Sequence, residues 1–179
     1  MIEFDRVTVF DDAVDDLLER FRGDPVLDRI MTTATRAGEF SLLWHAASVL
    51  RGAARRRPDQ IVALAVGIAA ESLVVNQVLK RLFRRERPTS SGDDRFELRT
   101  PLTSSFPSGH ASAATFAAVC LIGWDGKKSA IVWMPLAAAV AVSRPYVRIH
   151  HASDVVGGVV IGGLLGLVAK RVFRRIGVT

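Results

Sequence analysis

The sequence predicts an all-α, integral-membrane helical bundle of about five membrane helices with an N-terminal amphipathic helix, and three observations predict it. Long stretches carry almost no charge: Ile61 to Leu79, interrupted only by Glu71, then Ala111 to Trp124, Ala130 to Val142 and Val155 to Ala169. Charged residues, 23% of the chain against 49% hydrophobic, collect between those stretches instead of spreading through them. Finally, Gly157-Gly158, Gly162-Gly163 and Gly166 recur at a small-xxx-small spacing that lets helix backbones approach closely in lipid. In a soluble helix each glycine would cost about 1 kcal/mol relative to Ala. A soluble bundle with apolar core helices is the competing architecture, and these features weigh against it.

No Pro/Gly/Ser-rich stretch is long enough to divide the 179 residues, so residues 1–179 are read as one domain. Residues 1–25 are rich in acids (Asp11, Asp12, Asp15, Asp16, Glu19) and lack an apolar core after a basic start. No cleavable signal peptide is expected, and insertion relies on internal spans. Val14, Leu17, Leu18 and Phe21 recur at three-to-four spacing, which predicts a helix lying on the membrane surface or against the bundle.

Val26 to Leu50 predicts a single membrane helix, more polar than usual, with Arg36, Glu39 and His45 among Leu27, Ile30, Met31, Phe40, Leu42, Leu43 and Trp44. Pro58 suits the start of the next helix. A crossing needs about 20 residues, with a lower limit of roughly 17, so the first and last apolar runs qualify outright. The middle two qualify if they extend to Pro107–Asp125 and Lys128–Tyr146, joined by the tight Asp125-Gly126-Lys127-Lys128 turn. Counting crossings places the long polar loop from Pro88 to Phe106 and the loop from Ser143 to Ser153 on one face, where they can share chemistry.

The formal charge of +6 raises the question of nucleic acid, but no aromatic-interleaved basic surface or zinc spacing accompanies it. Basic residues flank apolar runs, a placement that fits anionic headgroups and phosphate ligands. The single cysteine, Cys120, lies inside an apolar run and reads as a packing residue, with no intramolecular disulfide available.

Three clusters fall on the shared face. Lys80-Arg81-Leu82-Phe83-Arg84-Arg85-Glu86-Arg87-Pro88 closes a span; a helix running to Arg87 would line up Lys80, Arg84 and Arg87, with Pro88 helping to stop it. Alone, such a run is commonly a solvated basic cap. Pro107-Ser108-Gly109-His110 precedes an apolar helix: Ser108 suits an N-cap, Gly109 admits a ligand to the backbone, and free N–H groups attract an anion. In the third, Ser143-Arg144-Pro145-Tyr146-Val147-Arg148-Ile149-His150-His151-Ala152-Ser153-Asp154, His150 and Asp154 are four apart and share a face if the segment is helical. The plainer alternative is that Ser153 or Asp154 caps the last helix. Together the clusters supply what phosphoryl transfer needs: cationic and N–H donors, an in-line nucleophile, and an acid for the leaving oxygen.

Lys80-x6-Arg87-Pro88, Pro107-Ser108-Gly109-His110 and Ser143-Arg144-x5-His150-x3-Asp154 resemble the three-part signature of the type 2 phosphatidic acid phosphatase (PAP2) superfamily, over residues 80 to 154 and with no motif position missing. The resemblance implies a membrane lipid phosphatase in which His150 is the nucleophile, Asp154 orients it, and His110 protonates the departing oxygen. Lys80, Arg87 and Arg144 would bind phosphate oxygens beside Ser108 and the Gly109 amide. Such chemistry needs His150 neutral and His110 initially protonated. Asp154 alone would raise the pKa of His150, so surrounding cations must counter it. His151, three residues from Asp154, competes for the same carboxylate, and motif register favours His150.

No cofactor and no metal are implied, because the histidines lack clustered carboxylate or cysteine partners. The expected partners are a lipid phosphate substrate and membrane lipids, not nucleic acid. The expected substrate is a polyprenyl diphosphate or related prenyl-linked phosphate, with phosphatidate, phosphatidylglycerophosphate or a prenylphosphoryl-sugar phosphate as alternatives. A non-catalytic lipid-binding or transport protein is the reading from another class, but anion binding alone has no need of His150, His110 and Asp154. The soluble, much larger haloperoxidases that share this signature are a poor match in size. Localisation is expected to be the cell membrane, multi-pass. Basic residues at Arg51, Arg55–Arg57, Lys127-Lys128, Lys170-Arg171 and Arg174-Arg175 lean the site toward the extracytoplasmic side, a lean that Arg6, Arg20, Arg22 and Arg29 would cancel if the N-terminus lies on the site's side.

Overall fold

The computed structural model describes residues 2–88, 95, 96, 98 and 103–179, with side chains from residue 6 onward. Among the described residues the chain is helical, with no strand: α1 (Ile2–Glu19), α2 (Pro25–Ala37), α3 (Leu42–Ala54), α4 (Pro58–Leu73), α5 (Lys80–Leu82), α6 (Gly109–Asp125), α7 (Ala130–Tyr146) and α8 (Ala152–Arg175). Most of the predicted polar loop from Pro88 to Phe106 lies outside the described residues.

α1 docks by charge as well as by part of its predicted apolar stripe, Leu18 packing against the cluster of Tyr146, Val147 and Ile149. Asp11 and Arg22 are buried, whereas Leu17 and Phe21 remain exposed. Arg22 donates to the carbonyls of Tyr146 (2.8 Å) and Pro145 (3.0 Å), so a cation seals carbonyls that the end of α7 leaves open. α2 starts sharply because Asp24 accepts from Val26 N (2.9 Å) and Leu27 N (3.0 Å) with Pro25 behind it.

The single helix predicted from Val26 to Leu50 is broken. α2 ends at Ala37, a short 3₁₀ turn follows at Glu39–Ser41, and Phe40 and Ser41 take positive φ (49° and 57°) before α3 resumes. No right-handed helix passes through two such residues. Trp44 and Ser48 of α3 face inward.

α4, a π-helical segment (Val74–Leu79) and α5 run on as one 25-residue rod, Pro58–Leu82. That rod and α8, 24 residues long, are the helices long and apolar enough to cross a membrane among the described residues. α6 and α7, at 17 residues each, reach about 26 Å at 1.5 Å per residue, near the lower limit for a crossing. Polarity runs inside out: Gln60 and Glu71 of the rod are buried, while Val62, Val66, Leu82, Ile131, Val160 and Leu164 are exposed. An apolar surface of this kind is solvated by lipid tails and not by water.

α6 is the central helix, buried on nearly every side from Ala111 to Ala118. It packs backbone to backbone on α8. A Cβ on Gly158 would lie 2.5 Å from Ser108 O, one on Gly162 2.1 Å from Ser112 O, and one on Gly166 2.9 Å from Val119 Cβ. These glycines stand four apart, so the predicted stripe of small residues is the α6–α8 seam. Leu64 and Ile68 of α4 pack with Phe116 and Leu121 of α6, Val140 of α7, Phe173 of α8 and Trp44 of α3 in the principal core.

Candidate active site

The basic run after the rod does not continue as a helix. Phe83 is extended (φ −112°, ψ 125°), so the helix stops at Leu82, before Pro88 can act. Lys80, Arg84 and Arg87 therefore do not share a helix face: Arg84 is exposed, while Arg87 is carried back over the bundle and buried. Its guanidinium donates to Ile149 O (2.9 Å), Thr103 O (3.2 Å) and Ser104 O (3.2 Å), and Nη1 stands 3.2 Å from His150 Nε2.

Ser108 caps α6, its hydroxyl accepting from Ala111 N at 3.5 Å, and its own N–H donates to Asp154 O at 3.0 Å. The second cluster is thereby tied to the third. A Cβ on Gly109 would lie 3.3 Å from Asn76 Oδ1 and 3.9 Å from Lys80 Nζ, so the ammonium of the first cluster sits over this glycine. His110 lies in electrostatic range of Arg144, His150, Lys80 and Arg87. Its Nε2, like Arg144 Nε, is buried and has no hydrogen-bonding partner among the described residues.

His150 precedes α8 instead of sharing its helix face with Asp154 as the spacing predicts: His151 is the N-cap and Asp154 lies in the first turn. The ring still reaches the carboxylate, with Nδ1 3.6 Å from Asp154 Oδ2. The turn that aims it contains Arg148 at φ 54°, which is paired with Asp15 (2.7 Å) and Glu19 (3.1 Å) of α1. The tautomer follows from chemistry. A guanidinium can only donate, so Nε2 keeps its lone pair and the ring proton sits on Nδ1, toward Asp154. Burial first, then Arg144 and Arg87, push the imidazole pKa well below its ordinary value, against the opposing pull of Asp154.

Asp154 is fully buried and held on both oxygens. Oδ1 accepts from Arg85 Nη1 (2.7 Å), and Oδ2 accepts from His151 N (2.9 Å) and the Ser105 hydroxyl. His151 thus meets the Asp154 carboxylate through its backbone N–H, and it lines a cavity of about 330 Å³ with His150, Arg148, Asp11, Asp12 and Asp15. Arg85 also meets Asp11 Oδ2 at 2.5 Å, and Asp11 accepts from Ser153 N at 2.7 Å.

Sequence reasoning missed Arg85, Ser105, Ser153, Asp11 and Thr35. Arg85 was visible as one arginine in a basic run and Asp11 as one acid in an acidic run, with no local pattern to single them out. A fully buried Thr35 on α2 accepts from Arg144 Nη1 at 3.0 Å and lies 2.9 Å from Ser143 Oγ. The eight residues singled out beforehand (His150, His110, Asp154, Lys80, Arg87, Ser108, Gly109 and Arg144) come together at one end of the bundle. Such a group offers a neutral imidazole lone pair, a second imidazole, and cations gathered near both.

The model of the PAP2 superfamily matches residues 60–177. The chain is 34% identical over 137 residues to decaprenylphosphoryl-5-phosphoribose phosphatase of Mycobacterium tuberculosis, covering 75% of this chain and 74% of that protein. Its fold resembles the crystal structure of a transmembrane PAP2-type phosphatidylglycerolphosphate phosphatase from Bacillus subtilis, with a TM-score of 0.75, 27% identity, and coverage of 96% of this chain and 88% of that one. It also resembles the crystal structure of Aquifex aeolicus LpxE, with a TM-score of 0.71, 24% identity, and coverage of 89% and 93%.

Proposed function

Because the chain belongs to the PAP2 superfamily and is a phosphatase, we propose that it hydrolyses a prenyl-linked phosphate at a membrane face through a phosphohistidine on His150. The observation that carries this reading is the His150 ring, which stands between Asp154 Oδ2, 3.6 Å from Nδ1, and Arg87 Nη1, 3.2 Å from Nε2. In the proposed reaction Arg87 leaves Nε2 for a phosphate oxygen, and the freed lone pair attacks phosphorus. The P–O bond to the leaving group breaks as His110 gives that oxygen its proton, while Lys80, Arg144, Ser108 and the Gly109 amide hold the equatorial oxygens. Water then attacks the phosphohistidine, His110 takes its proton, and phosphate leaves with His150 again neutral. Charge on phosphate is met by Lys80, Arg87 and Arg144, so the proposed reaction needs no metal.

Likeness to a decaprenylphosphoryl-5-phosphoribose phosphatase favours a prenylphosphoryl-sugar phosphate or a polyprenyl diphosphate. The fold likeness to a phosphatidylglycerolphosphate phosphatase keeps a glycerolipid phosphate as the second reading. In the proposed topology the rod, α6, α7 and α8 cross the cell membrane, the bent α2–α3 pair forms the fifth membrane element, and the site faces the extracytoplasmic side. Purified protein in detergent with EDTA should release phosphate from prenyl-linked substrates with a higher kcat/KM than from phosphatidate or phosphatidylglycerophosphate. Equal rates, or loss of activity in EDTA, would count against the corresponding part.

A further inference from the structure

Thr35 and Gly38 lie one turn apart at the end of α2, outside residues 60–177 matched by the family model, and each touches a different member of the phosphate site. The bonds at Thr35 have a fixed direction. The Ser143 hydroxyl donates to Val140 O at 2.7 Å, so its oxygen accepts from the Thr35 hydroxyl at 2.9 Å. The Thr35 oxygen in turn accepts from Arg144 Nη1 at 3.0 Å. Every polar atom in this relay is buried, and the relay sets the plane of the guanidinium.

Gly38 acts through space. Its backbone is ordinary right-handed helix (φ −76°, ψ −16°), so nothing in its conformation requires glycine. A Cβ there would lie 2.8 Å from His110 Cδ2 and 2.8 Å from Val140 Cγ1, closer than carbon atoms approach. The missing methyl group is where the edge of the His110 ring rests.

We infer that the last turn of α2 is a positioning element of the active site, Gly38 seating the ring of His110 and Thr35 orienting Arg144. This rests on the roles proposed above, His110 as leaving-group acid and Arg144 as phosphate ligand. The two contacts predict two different defects. Displacing His110 slows the transfer of phosphorus to His150, the half-reaction that kcat/KM reports, only where the leaving oxygen needs a proton, whereas misorienting Arg144 weakens phosphate binding whatever the leaving group.

Two esters separate them: dodecyl phosphate, whose alkoxide must be protonated, and 4-dodecyl-2-nitrophenyl phosphate, whose phenolate leaves without a proton. Gly38→Ala should lower kcat/KM on the alkyl ester at least about 10-fold and on the aryl ester by no more than about 3-fold, the same selectivity as His110→Ala. Thr35→Val should raise KM about 10-fold on both esters, and Thr35→Ser, which keeps the hydroxyl, should restore it. Adding Val140→Ala to Gly38→Ala removes the aliphatic obstacle and leaves the one at His110. Persistence of the selective loss in that pair supports the inference, and its disappearance overturns the Gly38 assignment. A selective loss for His110→Ala with an unselective or absent effect of Gly38→Ala also overturns it while the proposed reaction stands. Equal loss of kcat/KM on both esters for His110→Ala, or turnover of neither ester by the unaltered protein, sinks the proposed reaction itself.

Discussion

His150 turns its two ring nitrogens toward opposite charges, Nδ1 to Asp154 at 3.6 Å and Nε2 to Arg87 at 3.2 Å. Its neighbour His151 meets the same carboxylate by its backbone N–H, at 2.9 Å. Replacing His150 with Ala should therefore abolish turnover and the acid-labile ³²P-phosphoenzyme seen by rapid quench, whereas His151→Ala should retain at least about a tenth of the activity. The reverse outcome would move the nucleophile. Titration of His150 carries a stability signal as well. Its folded pKa is depressed, so the unfolded chain binds the proton first as pH falls below about 6.5. Stability from this group is complete above that value and declines as pH drops toward the folded pKa. Melting of the detergent-solubilised protein should fall through this window, and the decline should be shallower in His150→Gln.

α1 reaches the site through Asp11, whose oxygens hold Arg85 at 2.5 Å and Ser153 N at 2.7 Å. Asp11→Ala removes one of the two carboxylates on Arg85 and the acceptor of Ser153 N, so it should cost about 2 kcal/mol, raise hydrogen exchange along α1, and lower kcat as Arg85 is held less firmly beside Asp154. An unchanged exchange pattern would show that α1 docks by other means. This element also marks the limits of reading by pattern. Val14, Leu17, Leu18 and Phe21 have helical spacing, and α1 contains the first three with Leu18 against the bundle, yet its most buried described residue is Asp11, and Arg22 just past its end is buried too. Partners 74 residues from Asp11 and 124 from Arg22 leave no periodicity to find. The break between α2 and α3 was equally hidden, since Phe40 and Ser41 at positive φ are not residues that announce such a turn. Lys80, Ser108 and Gly109 were easier to find because each sits at a helix end beside an apolar run, where charge and caps are conspicuous.

Across the whole molecule, the sequence revealed the all-helical class and the rod and α8 as long apolar helices, because hydropathy is summed over many residues and survives local error. It also revealed the seam, for glycines four apart have one economical use in lipid. Gly162→Leu should prise α6 from α8, since even a methyl would meet Ser112 O at 2.1 Å; the expected result is loss of a monodisperse detergent peak and of phosphate release together. Retained activity would mean the bundle can spread. The same geometry restricts how this scaffold can diversify. Where two main chains touch, there are no side chains to exchange for larger or smaller ones, so α6 against α8 is a fixed hinge plate for the reacting groups. Room for change then lies where helices meet through side chains, as Leu64 and Ile68 of α4 do in the core, and away from Asp11, Thr35 and Gly38, which hold the reacting groups.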